Sequence, residues 1–380
     1  MLSLKHLAAA ALLALSTICA AEPGVTDTTV TLGMSAPFSG PNGAYGEDMR
    51  QTIQAYFGQL NKAGGVNGRK IELIALDDGY ETDRALANTK TLIKDKQAFA
   101  LLGFFGTTPT EATMNTVFGP AGVPLVGTIS GAPSLRQPIS SNPHARFMFH
   151  IRASYNDETE AIVNQMVAIG LRRIAVFYQN DGFGKAGLDG VTAALKRHNL
   201  TPAAVATVER NSLDVNAAVQ SVAKANPQAV VMVTLYKPSA AFIRAMKQAG
   251  QHPMFMTLSP VGTEQLVDTL GNEARGIGIS QVVPYPWNDT IPVVRDYQKI
   301  APKPGKYSYY GLEAYLTARV MVEGLRRAGR DLTREKLVSA LESINNVDFG
   351  GYRVNYSTTA RGGSRFVEMT VIGPGGKVLR

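Results

Sequence analysis

Short apolar segments alternate with helix-length segments along most of the chain, and this alternation restricts the fold most strongly. Strand-like runs at 30–36, 70–76, 99–102 and 123–127 are separated by segments long enough for helices, and a second series begins near Ile151. Strands that alternate with helices of ten or more residues are typical of βαβ units and a parallel sheet. Right-handed crossovers then place helices on both faces of each sheet. We therefore predict an α/β protein with two similar, doubly wound parallel-sheet lobes.

The last third of the chain departs from this rhythm. Residues 281–287, of sequence QVVPYPW, place two prolines in an extended segment. Helices are predicted after it at about 291–300, 308–327 and 334–344, followed by strand-like runs at 352–356 and 366–372. Because proline fixes one backbone angle, this segment suits a chain that crosses between lobes. A surface loop explains the same residues equally well.

The first 21 residues have the parts of a secretory signal. Lys5 and His6 precede an apolar run at 7–18, and Cys19-Ala20-Ala21 supplies small residues before a cut. The apolar run is too short to span a bilayer. We expect cleavage near Ala21 and a periplasmic protein; Thr17-Ile18 is a poor match to lipoprotein processing at Cys19. Cys19 is the only cysteine, so the mature chain would have no disulfide, catalytic thiol or thiolate metal ligand.

Composition and motifs argue against two classes of function. The formal net charge is +8, but the basic residues are scattered, so we expect no nucleic-acid partner. The five histidines have no metal-ligand spacing, and the chain contains neither a phosphate-binding loop nor a Gly-x-Ser-x-Gly nucleophile turn. Without an assembled acid, base or nucleophile, the chain is predicted to be a binding protein, not an enzyme, with no cofactor.

A candidate binding turn lies at residues 103–111, of sequence GFFGTTPTE. Thr108 and Glu111 have capping-box spacing, and Pro109 occupies the first helical position. A helix start after a strand offers free N–H groups and a positive dipole end to a carboxylate, and Thr107 would keep its hydroxyl and N–H available. In parallel sheets ligands bind beyond the carboxyl ends of the strands, which places Thr107 at the lip of a cleft. The alternative is a helix that is simply well capped.

Several short motifs, in order over nearly the whole chain after the signal, resemble one family. They are Ser39-Gly40-Pro41 with Tyr45-Gly46, Leu76-Asp77-Asp78, residues 103–110, Ser130-Gly131-Ala132-Pro133, residues 152–157, Gly182-Phe183-Gly184 and Leu235-Tyr236-Lys237-Pro238. The chain resembles the periplasmic substrate-binding proteins of ABC importers, in the branch of the leucine/isoleucine/valine-binding protein. None of the motifs is specific alone, so the resemblance rests on their number and order.

The resemblance implies a type I periplasmic binding fold, whose two lobes are joined by a three-crossover hinge. The expected lobes are residues 27–151 with 284–364, and residues 152–283 with 365–380. It also implies hinge closure, in which one lobe binds the ligand and the second shuts over it. We expect a monomer that delivers a small carboxylate-bearing ligand to the permease subunits of an importer. A ligand-sensing receptor domain is the alternative, and an α/β enzyme is disfavoured.

The resemblance also implies roles for individual residues. Thr107, Thr108, Ser130 and Gly131 would hold the ligand carboxylate, and Asp157 would pair with an ammonium. Aromatic contacts would come from Tyr45, Phe183 and Tyr236.

Three positions leave the ligand class open. Ser259 stands where amino-acid binders of the family carry a glutamate, and Gly131 stands where a threonine hydroxyl would be. For Asp157 the alternative is an acid that stabilises a helix start. A branched-chain or other apolar amino acid is the expected ligand, and the alternative is an amine-free aromatic or aliphatic acid.

Overall fold

Two sheets, each built mainly of parallel strands, organise the part of the chain that the structure describes. The structure is a computed structural model that describes residues 22–380, so the predicted signal peptide at 1–21 lies outside the described residues. Within 22–380, no helix is both long enough and apolar enough to cross a membrane.

The first sheet has five parallel strands. They are β1 (Thr29–Ala36), β2 (Lys70–Asp77), β3 (Ala100–Phe105), β4 (Leu125–Ile129) and β5 (Met148–Phe149). Their order is β2-β1-β3-β4-β5. Every residue of β3 and β4 is buried. Continuous apolar strands are expected when helices cover both faces of a parallel sheet.

The second sheet has seven strands, of which the last two in the chain are antiparallel. Its strands are β6 (Ile174–Gln179), β7 (Val205–Val208), β8 (Ala229–Val233), β9 (Met254–Thr257), β10 (Gly278–Gln281), β13 (Glu368–Ile372) and β14 (Val378–Leu379). Between β10 and β13, a separate hairpin is formed by β11 (Val347–Asp348) and β12 (Arg353–Val354). The order in the second sheet is β14-β13-β10-β9-β8-β6-β7. The predicted fold class is therefore confirmed.

The α-helices connect the strands. They are α1 (Gly43–Lys62), α2 (Thr82–Lys94), α3 (Thr107–Thr113), α4 (Tyr155–Ala168), α5 (Gly182–Arg197), α6 (Asn216–Lys224), α7 (Tyr236–Gln248), α8 (Thr263–Leu270), α9 (Pro292–Ile300), α10 (Tyr309–Ala328) and α11 (Arg334–Glu342). The nearly fully buried α10 packs against α1 and α11. It begins where Ser308 Oγ accepts from the N–H of Gly311 (2.8 Å) and ends at Gly329, whose φ of +79° suits glycine.

The chain passes between the two sheets three times. The crossings lie between β5 and α4, between β10 and α9, and between β12 and β13. The proline-containing segment at 281–287 therefore belongs to the second crossing. The exact lobe boundaries near residues 151, 283 and 364 stay predictions. The sequence pattern does not predict α8 or β10, because both are short and lie close to glycines that interrupt the alternation.

Candidate functional site

The carboxyl ends of both sheets face one cleft, and the two lobes touch across it. The hydroxyl of Tyr45 donates to the carbonyl of Val261 (2.6 Å), and Gln179 Nε2 donates to the hydroxyl of Tyr80 (3.0 Å). Each bond joins a residue of the first lobe to a residue that follows or ends a strand of the second sheet. The structure therefore has the arrangement expected of a closed cleft.

Thr107 lies fully buried in this cleft, as the first residue of α3. Its hydroxyl and that of Ser130 are 2.7 Å apart and share a hydrogen bond. As first residues of a helix, Thr107 and Thr108 carry N–H groups that the helix itself does not satisfy. The structure therefore brings Thr107 and Ser130 together where the sequence predicts a carboxylate site.

The predicted capping box of Thr108 and Glu111 is wrong. The helix begins at Thr107, and the residue before it, Gly106, has a φ of +87° and no side-chain cap. The hydroxyl of Thr108 instead accepts from the N–H of Gly182 across the cleft (3.1 Å), while Glu111 accepts from the hydroxyl of Ser134 (3.1 Å). Thr108 thus makes a contact between the lobes, because Gly182 follows β6 of the second sheet.

Tyr155 completes a cluster of three hydroxyls, although no motif in the sequence marks it as a site residue. Its side chain is fully buried at the start of α4. Burial raises the pKa of Tyr155 above its usual value; the positive charge of Arg152 and the nearby hydroxyls of Thr107 and Ser130 only partly offset this effect. The phenol therefore keeps its proton at neutral pH. Three neutral hydroxyls can donate hydrogen bonds to a carboxylate once they turn away from one another. We refer to Thr107, Ser130 and Tyr155 as the hydroxyl cluster.

Gly131 lies directly against Tyr155. A Cβ atom at this position would be 2.6 Å from the main-chain nitrogen of Tyr155 and 2.8 Å from its ring. Because such distances are too short for any side chain, a threonine cannot replace Gly131 in this arrangement. The phenol of Tyr155 thus takes the place next to Ser130 that the resemblance assigns to a threonine hydroxyl.

The predicted aromatic residues meet at the interface between the lobes. The ring of Tyr45 stacks on Phe105 (5.3 Å between centroids) and meets the edge of Tyr236 (5.4 Å). Its hydroxyl also accepts from the N–H of Tyr236 (3.1 Å). Phe183 packs against Tyr155 (5.4 Å) and is almost fully buried. Phe183 therefore adds aromatic surface beside the hydroxyl cluster that would suit an apolar ligand.

Asp157 stabilises the start of α4, which is the alternative to ligand binding that its sequence position also predicts. It forms a capping box with Ser154, whose Oγ accepts from the N–H of Asp157 (3.1 Å), and its carboxylate binds Arg365 (2.9 Å). Burial acts to raise the pKa of Asp157, but the bonds from Ser154 and Arg365 outweigh it and hold the pKa below its usual value. None of its described hydrogen bonds reaches the hydroxyl cluster.

Ser259 belongs to a second buried group, which is charged. Arg152 binds Glu313 through two bonds (2.8 and 2.7 Å) and donates to Ser259 Oγ (3.2 Å). The N–H and hydroxyl of Ser259 donate in turn to Glu158 (2.9 and 3.1 Å). We refer to Arg152, Glu313, Glu158 and Ser259 as the charged cluster.

Burial affects the members of the charged cluster differently. It raises the pKa of Glu158, and the nearby charge of Arg152 offsets only part of this effect. Burial alone would lower the pKa of Arg152, but the attraction of Glu313 keeps it above its usual value. The carboxylate that the resemblance expects at position 259 is therefore supplied beside it, by Glu158. Sequence alone gives no signal for this, because Glu158 and Ser259 are 101 residues apart.

Comparisons with known proteins agree with the two-lobed α/β fold described above. Residues 29–372 match the family described as periplasmic binding protein. A substrate-binding periplasmic protein from Ralstonia solanacearum has 31% sequence identity and a TM-score of 0.85, with 92% of this chain and 99% of that chain covered.

Two curated proteins of Pseudomonas aeruginosa are also similar. One, an amino acid binding protein, is 25% identical over 245 residues, which span 64% of this chain and 63% of that protein's length. The other, a leucine-, isoleucine-, valine-, threonine- and alanine-binding protein, is 22% identical over 317 residues, with 83% of this chain and 82% of that protein covered.

Proposed function

Since the chain belongs to the periplasmic binding protein family, in its leucine/isoleucine/valine-binding branch, we propose that it captures a small carboxylate-bearing ligand between its lobes and delivers it to an ABC importer. The three similar proteins described above are all named as binding proteins.

The observation that carries this proposal is the hydroxyl cluster buried where the lobes meet. Thr107 and Ser130 come from the ends of neighbouring strands of the first sheet, and Tyr155 begins the first helix of the second lobe. A carboxylate held by all three would contact both lobes at once. Excluding water strengthens such hydrogen bonds, so ligand binding would favour the closed shape that membrane subunits recognise.

An apolar amino acid is the first candidate ligand. The names of the P. aeruginosa relatives point to amino acids. In the charged cluster, Glu158 and Glu313 face a single arginine, so an ionised Glu158 leaves a net negative charge beside Tyr155. An ammonium would neutralise that charge.

An amine-free acid is the second candidate, and the contacts of the cleft acids favour it. Asp157 is bound by Ser154 and Arg365, and Glu158 already accepts from Ser259 and from Ser280 (2.6 Å). Burial also raises the pKa of Glu158, which widens the pH range in which this carboxyl would offer an ammonium no charge.

A matched ligand pair separates the two candidates. Leucine and 4-methylpentanoate have the same apolar chain and carboxylate, and only leucine carries an amine. A ligand at a hundred times its dissociation constant stabilises the folded state by about 2.7 kcal/mol, which a thermal-shift assay detects. Stabilisation by leucine alone supports the amino-acid carrier, and stabilisation by 4-methylpentanoate alone supports the amine-free carrier. If neither these nor a wider panel of amino acids and small acids binds, the proposed function is wrong.

The pH dependence of affinity adds a second readout. As the pH rises through the pKa of Glu158, this carboxyl becomes negative and would attract an ammonium but repel a carboxylate. Affinity for an amino acid should therefore rise with pH in that range, and affinity for an amine-free acid should fall. Isothermal titration calorimetry over the pH range in which the protein stays folded measures both trends.

Delivery to an importer needs a test in cells. Deletion of the gene should reduce uptake of the ligand, and expression of the intact chain should restore it. A Thr107→Ala variant should restore uptake less well, because it binds the ligand more weakly. Normal uptake after deletion would argue for a sensing role instead.

A further inference from the structure

A cavity lies outside the cleft, where the first lobe meets two of the chain crossings. Its volume is about 200 Å³, room for roughly six water molecules at about 30 Å³ each. The residues that line it include Leu135, Arg136, Ala145, His150 and Arg361. The exposed residues Thr359 and Ala360 also line it, so the cavity is open to solvent. None of these residues belongs to the hydroxyl cluster or the charged cluster.

Three side chains that line this cavity each have a buried nitrogen without a hydrogen-bond partner among the described residues. The atoms are Arg136 Nε, His150 Nδ1 and Arg361 Nε. The side chains of His150 and Arg361 are well inside the protein, with 1% and 7% of their surface exposed. A buried polar atom without a hydrogen-bond partner destabilises the fold, and a polar ligand in the cavity can supply partners for all three.

The rest of each side chain is fixed in place. Arg136 donates to the carbonyls of Gly362 (3.1 Å) and Arg152 (2.9 Å), and Arg361 forms an ion pair with Glu342. The main chain of His150 donates to the carbonyl of Arg361 (3.0 Å). The unpartnered nitrogens are therefore held by a rigid frame, as a preformed site requires.

The charge of the cavity is positive. Glu342 balances Arg361, but the described hydrogen bonds of Arg136 go only to main-chain carbonyls. Burial, with some repulsion from Arg152, lowers the pKa of Arg136 to about 10, so it stays charged at neutral pH. Two guanidinium N–H groups and a surplus positive charge suit an anion with at least two oxygens.

His150 adds a requirement that a simple anion does not meet. Its Nε2 is 3.0 Å from the carbonyl of Leu135, and because a carbonyl only accepts, Nε2 must carry the proton of the bond. Burial, together with the charge of Arg136, lowers the pKa of His150 well below its usual value, so the ring is neutral. Its Nδ1 is then an acceptor, and the ligand must offer it an O–H group.

We propose that this cavity binds hydrogen phosphate, with two anionic oxygens accepting from Arg136 Nε and Arg361 Nε and the remaining O–H donating to His150 Nδ1. A phosphate monoester presents the same O–H only in its singly protonated form, below its second pKa of about 6. The exposed rim at Thr359 and Ala360 leaves room for an ester group to extend into solvent. This site does not depend on the function proposed for the cleft.

Sulfate is the matched control ligand, because it has the same tetrahedral shape but no proton at neutral pH. Isothermal titration calorimetry on residues 22–380, at constant ionic strength and pH 7.5, should detect one saturable phosphate site per chain. Sulfate should bind at least ten times more weakly. Methyl phosphate, which has lost its proton at pH 7.5, should bind as weakly as sulfate there. Titrated beside phosphate at about pH 5, where it carries one O–H, it separates the two sources: binding equal to phosphate supports an ester ligand, and loss of binding supports the free ion.

Three variants locate the site. Arg361→Gln removes one guanidinium, and Ala145→Leu fills the cavity while every polar group stays; each should weaken phosphate binding at least tenfold. Arg353→Gln, at an exposed arginine of the neighbouring hairpin, should leave it unchanged. Thr107→Ala should also leave it unchanged, so failure here and failure in the cleft can be told apart. The proposal is overturned if phosphate shows no saturable binding, if sulfate binds equally well, or if both cavity variants bind normally.

Discussion

The hydroxyl cluster and the charged cluster are neighbours in the cleft, yet they differ in what they can offer a ligand. The hydroxyls of Thr107 and Ser130 share a hydrogen bond beside the neutral phenol of Tyr155, so a carboxylate can replace that bond without leaving a charge unpaired. Arg152 and Glu313 already satisfy each other through two bonds, and separating them would leave buried charges. We infer that the first cluster binds the ligand and that the second holds the crossings and the two lobes together.

The largest effect should follow from breaking the charged cluster. Glu313→Ala leaves Arg152 buried without its partner, and the free energy of unfolding should fall by about 3–5 kcal/mol, measured by urea denaturation. The control is Glu273→Ala, which breaks an exposed pair with Arg244 and should change stability by less than about 1 kcal/mol. Equal, small losses in both variants would contradict the structural role of the charged cluster.

Thr107→Ala should instead lower affinity, with a loss of stability no larger than that of a comparable buried threonine of the same helix. Removing a hydrogen bond to a charged ligand group should weaken binding by roughly 1–3 kcal/mol in calorimetry. Thr110→Ala is the matched control. This buried threonine of the same helix bonds Thr128 (2.9 Å), outside the hydroxyl cluster, so its loss should affect stability and not affinity. Unchanged affinity in Thr107→Ala would place the ligand elsewhere.

Tyr155→Phe tests whether the phenol belongs to the binding cluster. The ring stays against Gly131 and Phe183, and only one donor is lost, so affinity should fall by about 1–2 kcal/mol. Because the pKa of Tyr155 is raised, its contribution to affinity should persist at pH 9. If affinity is unaffected, the hydroxyl bonds only within the protein.

The smallest effect is expected for Asp157→Asn. Its carboxylate caps α4 and binds an exposed arginine, so stability should fall by less than about 1 kcal/mol and affinity should not change. Because the folded-state pKa of Asp157 lies below the unfolded value of about 3.9, its stabilising effect is present above that value and disappears as the pH falls through the folded pKa. A clear loss of affinity for amino acids would instead indicate that Asp157 binds the ligand's ammonium group, as the resemblance implies.

The fold was predictable because its signals are local. The alternation of apolar runs and helix-length segments predicts every α-helix except α8 and most strands, but not the short β5, β10, β11 and β14. Parallel strands bring Thr107 and Ser130 to one edge by topology alone. Contacts between distant segments were not predictable. Thr108 has the spacing of a capping box, but its hydroxyl bonds Gly182 of the other lobe. Arg152 and Glu313 are 161 residues apart, and no spacing rule connects them.

The most direct test of carboxylate binding by the hydroxyl cluster is a crystal structure of the chain with the acid that stabilises it most in the thermal-shift assay. We predict that a carboxylate oxygen lies within about 2.5–3.0 Å of the hydroxyls of Thr107, Ser130 and Tyr155, with both lobes closed over the ligand. A ligand carboxylate bound to Arg152 in place of Glu313, or a ligand outside the cleft, would contradict this prediction.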